Sequence, residues 1–204
     1  MSHREPARIA ARRSRSALLA ALVFAASALA WGQREHVRGH RSGTPTDPSR
    51  RTTRGEAQGA VRRGLTAFDG DRPALAHLDP RLLGALRHAA TDAARHGIEL
   101  LINSGWRSPE YQARLLRQAV STYGSPEEAA QWVATPATSP HVAGRAVDIG
   151  PSRATVWLST HGAAYRLCQI YRNEPWHFEL RPDAVGDGCP PMYADPSHDP
   201  RMQP

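Results

Sequence analysis

Two short segments hold side chains that together could bind a metal and move protons. Ser139-Pro-His-Val-Ala-Gly-Arg-Ala-Val-Asp148 sets a histidine, His141, seven residues before a carboxylate, Asp148. Glu174-Pro-Trp-His177 sets a carboxylate three residues before a second histidine. Two imidazoles and one carboxylate make a three-ligand zinc set with a fourth position left for water. The remaining carboxylate is then free to transfer protons at that water. The spacing is not that of the helical His-Glu-x-x-His motif, which needs both histidines on one helical face. Pro175 also excludes a helix interior between Glu174 and His177.

These side chains must be held by elements the sequence also predicts. Pro140 biases Ser139 toward an extended conformation, and Gly144 allows a turn. Ala146 to Ile149 reads as a short strand. Alternation puts Ala146 and Asp148 on one face, with Val147 and Ile149 on the other. A buried carboxylate on such an apolar strand needs a cation, a metal or several donors. A salt bridge to Arg145 or Arg107 is the plainer alternative. Trp176 to Leu180 reads as another strand, with His177 and Glu179 sharing a face, so Glu179 rivals Glu174 for the base role. Leu167 to Tyr171 precedes it as a strand, with Arg172 to Pro175 as the connection.

Farther upstream the pattern is helical. A helical stretch begins near Glu56. Pro80 starts a clear helix, with Leu82, Leu83, Leu86, Ala90 and Ala93 at helical spacing and Gly97 as its stop. Ile98 to Asn103 is a strand. Ser108 caps the next helix, with Pro109 at its first position, and Ser125 opens a short one through Val133. Arg153 to about Tyr165 is helical. Helices come first and strands cluster late. This predicts an α+β domain, a helical N-terminal half packed on a small antiparallel sheet that carries the zinc site.

The net charge of +7 could suggest a nucleic-acid partner, but its distribution excludes one. Eleven of the 26 Arg lie in residues 1–54, which leaves 15 Arg against 16 acids from Gly55 onward. A nucleic-acid enzyme carries its basic patch on the folded face. Residues 1–30 read as a signal peptide or signal anchor. Arg8, Arg12, Arg13 and Arg15 precede the apolar run Ala17 to Ala30, which ends in a small-x-small pattern. Any membrane contact is expected only through that segment. Residues 31–54 read as a flexible Arg-rich linker, and 55–204 as the folded domain, expected to be a monomer. The only two cysteines, Cys168 and Cys189, suggest a disulfide in an exported chain, with two free thiols as the alternative.

The linked segments Ser104-Gly-Trp-Arg-Ser-Pro109, Ser139 to Asp148 and Glu174 to His177 resemble the zinc D-alanyl-D-alanine carboxypeptidases of the VanY type. The resemblance runs from about Leu82 to Glu179. It implies that His141, Asp148 and His177 are the zinc ligands and that Glu174 is the general base. It implies that Arg107 contacts substrate near the scissile carbonyl or the terminal carboxylate. Ser139 and Gln112 would line the substrate site. The implied substrate is a peptidoglycan stem peptide ending in D-Ala-D-Ala, handled outside the cytoplasmic membrane or in the wall of a bacterium. Related readings are an L,D-carboxypeptidase, a cross-bridge endopeptidase, or a non-catalytic wall-binding module that keeps the metal but has no need of Glu174. Two departures stand out. Arg166 occupies a position where the family pattern leads one to expect glycine, and Trp106 is bulkier than usual.

Overall fold

The protein is described by a computed structural model over residues 53–203. The expected signal segment, and the linker up to residue 52, lie outside the described residues.

The longest helix among the described residues, α1 (Pro80–Arg95), starts where the sequence predicts. Asp79 caps it, accepting a hydrogen bond from the Arg81 amide, and Pro80 takes the first position. Leu82, Leu86, Ala89, Ala90 and Ala93 form its buried stripe. Leu82 and Leu86 are fully enclosed, so truncating either to Ala costs about 2–5 kcal/mol.

The four-stranded sheet is antiparallel throughout, in the order β1 (Leu101–Ser104), β2 (Ala146–Gly150), β4 (His177–Leu180), β3 (Leu167–Gln169). Between β1 and β2 lie α2 (Pro109–Tyr123), capped by Ser108, and α3 (Pro126–Ala130), capped by Ser125. The helix after β2 is α4 (Ser152–His161), followed by a 3-10 turn, Gly162–Tyr165.

Alternation along the strands divides the sheet. Ile102, Val147, Ile149 and Phe178 join the core built from α1 and from Ala154, Trp157 and Leu158 of α4. In the register of β2 with β4, Val147 pairs with Phe178 and Asp148 with His177. The period of two therefore sends Asp148, His177 and Glu179 to the opposite face. All five β2 residues are buried, as expected of a central strand covered on both sides.

Some elements are shorter than the sequence predicts. β1 begins at Leu101 rather than Ile98 because Ile98 is used to close α1. Its amide bonds Ala93 O at 3.0 Å, and that of Gly97 bonds Ala94 O at 3.0 Å, a Schellman closure. The stretch near Glu56 forms only one turn, Arg54–Ala57, and α3 stops at Ala130 instead of Val133. β3 ends at Gln169, because Tyr171 instead bridges in parallel to Tyr193 of the C-terminal tail.

Candidate metal and catalytic site

Each side chain of the site is brought in by a different local device. His141 lies in the turn that joins α3 to β2. Gly144 adopts φ +68°, and a Cβ there would lie 2.3 Å from His77 O, so only glycine lets the turn press so closely on its neighbour. The Asp79 amide bonds Gly144 O at 2.9 Å and locks the turn to the start of α1. Asp148 comes from the middle of β2 and His177 from the first position of β4, directly across the ladder. Glu174 lies in the preceding loop, where its carbonyl accepts from the His177 amide at 3.0 Å.

The imidazoles are oriented from behind. His141 Nδ1 lies 2.8 Å from Gly105 O. A carbonyl only accepts, so Nδ1 carries the proton and Nε2 faces inward as a lone pair. His177 Nε2 lies 3.3 Å from Glu179 Oε1, which leaves Nδ1 to face inward. The inward atoms His141 Nε2, His177 Nδ1 and Asp148 Oδ1 form a triangle with sides of 3.3, 3.3 and 3.4 Å. Among the described residues these three side chains are the group of His, Cys, Asp and Glu with the geometry to share one ion. Electron-rich atoms so close repel unless a proton or a cation lies between them. Asp148 Oδ1 is buried with no well-formed hydrogen bond, although its partner oxygen Oδ2 accepts from Arg107 at 2.9 Å. Donors bonded at about 2.05 Å around a tetrahedral ion sit roughly 3.3–3.4 Å apart. The donor set and its spacing thus fit zinc.

The electrostatics separate the two free-standing carboxylates. Burial pushes the Glu174 carboxyl up to about 8; Asp148 adds to the rise, and His177 and Arg107 oppose it incompletely. Glu174 Oε2 is 4.0 Å from His177 Nδ1, within reach of the triangle. Glu179 is also buried and would rise for that reason, but His177, Arg201 and Arg181 hold it well below the usual carboxylate range. It shares the His177 face, as alternation predicts, yet is engaged by Arg181 at 2.9 Å and Arg201 at 2.7 Å. Asp148 is likewise held low, against its burial, by His141, His177 and Arg107. Burial and Arg107 depress His141. His177 goes the other way, to about 10, because Asp148, Glu179 and Glu174 outweigh its burial.

Arg107 is buried and gives three hydrogen bonds: Nε to Ser104 Oγ at 2.8 Å, Nη1 to Gln112 Oε1 at 3.2 Å and Nη2 to Asp148 Oδ2. The salt-bridge alternative raised by the sequence is therefore present, at Arg107 and not at Arg145. Gln112 touches the site only through Arg107. Its Nε2 donates to Ala134 O at 2.8 Å, so both ends of the amide serve to position. Ser139 is buried in the His141 turn, its hydroxyl 3.4 Å from the Val142 amide. Cys168 of β3 is disulfide-bonded to Cys189. Arg166 sits in the left-handed region, φ 64°, after the 3-10 turn. That explains why glycine is expected there. Trp106 stacks obliquely on His77, ring centroids 4.3 Å apart.

Sequence reasoning did not find Ser104, the Gly105 carbonyl, Tyr171, Asp199 or Arg201 as neighbours of the site. Glu179 was the one signal pointing to the last three.

Three comparisons bear on this geometry. The chain is 30% identical to a D-alanyl-D-alanine carboxypeptidase of Enterococcus faecalis (strain ATCC 700802 / V583), over 43% of this chain and 42% of that protein. It thus spans less than half the length of that curated relative. Among solved structures, VanYB in complex with D-alanine-D-alanine superposes with a TM-score of 0.51 at 24% identity, covering 59% of this chain and 81% of that one. A mutant of the vancomycin-resistance D,D-pentapeptidase VanY in complex with Zn(II) gives 0.48 at 25% identity, over 53% and 73%. The LD-carboxypeptidase LdcB gives 0.45 at 25% identity, over 50% and 58%. The family model described as VanY, D-alanyl-D-alanine carboxypeptidase, matches residues 75–183, more than half of the chain and the whole of the His141, Asp148, Glu174 and His177 constellation. The chain belongs to the VanY D-alanyl-D-alanine carboxypeptidase family.

Proposed function

We propose that this chain is an exported zinc peptidase that removes the C-terminal D-Ala from peptidoglycan stem peptides. The observation that carries this reading is the triangle of His141 Nε2, His177 Nδ1 and Asp148 Oδ1 with the buried carboxyl of Glu174 beside it.

His141, Asp148 and His177 would hold the ion. Zinc, when bound, supplies Lewis acidity and lowers the pKa of a coordinated water to about 7. Glu174 is the proton carrier. Its side chain is buried with Oε2 4.0 Å from the ligand atom His177 Nδ1, within reach of a water at the triangle, which suits a group that must take a proton and return it within one turnover. It therefore accepts the proton of the attacking water and delivers it to the leaving amine. Arg107 orients Asp148 through Nη2, and Ser104 and Gln112 fix its plane. Three of its five N–H groups are engaged by these partners. The others are available to a substrate carbonyl or terminal carboxylate, a role its planar fork suits better than Lys would. Ser139, in the same turn as His141, is the further residue we propose for the substrate site.

The test is hydrolysis by the purified zinc-loaded protein of a stem peptide ending in D-Ala-D-Ala, an L,D-linked tetrapeptide and a cross-linked dimer, with and without chelator. Chelator-sensitive release of D-Ala from the first peptide supports the proposal. Preference for the L,D peptide or the dimer moves the assignment to an L,D-carboxypeptidase or an endopeptidase. Zinc binding with no cleavage of any of them would make the chain a binding module.

A further inference from the structure

The family match stops at residue 183, and the segment that follows it packs behind the metal site. It is held there at several points. Cys189 is bonded to Cys168 of β3. The Tyr193 amide bonds Ile170 O at 2.9 Å, and the Arg172 amide bonds Tyr193 O at 3.0 Å. The tail then forms a 3-10 turn, Pro200–Met202, capped by Asp199. That turn puts Arg201 on Glu179: Nη1 bonds Oε2 at 2.7 Å, and Nη2 bonds Oε1 at 3.2 Å. Oε1 is the oxygen that faces His177 Nε2.

Arg201 is itself gripped. Its Nε lies 3.0 and 3.1 Å from the two oxygens of Asp199, and Nη2 also bonds Asp199 Oδ2. Asp199 is fully buried and accepts from the Tyr171 hydroxyl at 2.9 Å. The Tyr171 ring lies 5.1 Å from that of His177, centroid to centroid. The contacts therefore close a ring through His177, Glu179, Arg201, Asp199 and Tyr171. Arg181 also reaches Glu179, 2.9 Å from Oε2. Arg201 holds both oxygens and so sets the plane of the carboxylate.

A carboxylate behind a ligating histidine fixes its tautomer and ring orientation and makes it a better donor. We infer that Arg201 and Asp199 are positioning residues for metal binding, by which the disulfide-anchored tail keeps Glu179 aligned on His177. This rests on the zinc reading above. Neither residue touches the ion or the substrate. They act on the histidine through Glu179.

The experiment is a zinc titration of the chelator-stripped full chain against a chromophoric chelator, well below each protein's thermal midpoint. Arg201→Met keeps the apolar stem and removes the fork. It is expected to weaken zinc about 10- to 100-fold, and Arg201→Lys, which restores the charge without the fork, to recover part of the loss. A purely structural role would instead lower the midpoint and leave the zinc dissociation constant alone. An unchanged constant in folded Arg201→Met overturns the inference. If circular dichroism shows that variant unfolded, an unchanged constant in Arg201→Lys overturns it. A parent chain that binds no zinc overturns the metal reading, and this inference with it, whereas a parent that binds and variants that bind equally well overturn the inference alone.

Discussion

Glu174→Gln keeps the side chain's shape and removes its charge, and it acts on turnover and on stability separately. As proton carrier, Glu174 contributes about 10²–10⁴-fold, so turnover of the zinc-loaded variant is expected to fall by that order. The stability effect follows from burial, which raises the carboxyl from 4.5 to about 8. Below pH 4.5 it is neutral in both the folded and the unfolded chain, and its contribution is fully present. Between 4.5 and about 8 the unfolded chain releases a proton that the folded chain keeps, so stability is lost as pH rises through that window. At about 1.36 kcal/mol per pH unit, the gap sets an upper bound of roughly 5 kcal/mol. Gln mimics the neutral form and does not titrate. The difference between variant and parent stability should therefore grow by a few kcal/mol from pH 4.5 to 8.5. His177 is raised to about 10 partly by Glu174, and its own loss of stability begins above the ordinary histidine value of 6.5, so the growth of the difference between pH 4.5 and 6.5 is the part that belongs to Glu174 alone. The assay is urea unfolding of the chelator-stripped pair across this range, because a nearby zinc ion would lower the Glu174 pKa. Parallel curves would refute the claim that the fold keeps this carboxyl neutral. Full turnover in Glu174→Gln would refute its role as the base.

Other outcomes are equally specific. Arg107→Met leaves Asp148 buried without its 2.9 Å partner. Unfolding of the zinc-stripped variant should show a loss of about 3–5 kcal/mol, and a smaller loss once zinc supplies the missing positive charge. Reducing Cys168–Cys189, which closes a loop of 21 residues in sequence separation, should cost roughly 3 kcal/mol, visible as a lower thermal midpoint in reductant. Arg166→Gly relieves a left-handed backbone position at an exposed site and should raise stability by about 1 kcal/mol, measurable by denaturant unfolding.

The residue types of the metal triangle were legible from spacing because the strand period is short-range. Alternation puts Asp148 on one face with Ala146 and His177 on one face with Glu179, but the pairing of the two strands is long-range, and the choice of Asp148 as the third ligand comes from the resemblance. The helix starts at Pro80, Ser108 and Ser125 were legible because start signals act within three residues. What escaped depends on long-range packing. Arg201 meets Glu179 across 22 residues of a proline-rich tail with no periodicity. The resemblance offers Gln112 as a substrate residue, and what it does not reveal is that the amide bonds Arg107 and Ala134 O. The late start of β1 reflects competition, in which the closure of α1 takes Ile98 before the sheet can.

The two histidines differ in what mutation can reach. His141 is steered by a main-chain carbonyl, that of Gly105. No side-chain replacement deletes that group. Position 105 is itself closed to substitution, because a Cβ there would lie 2.2 Å from Ala74 O. His177 is steered by a carboxylate that any codon change at 179 can alter. A library built to retune metal preference would therefore find its variation on the His177 side, while the His141 side responds only to a change in the path of the chain.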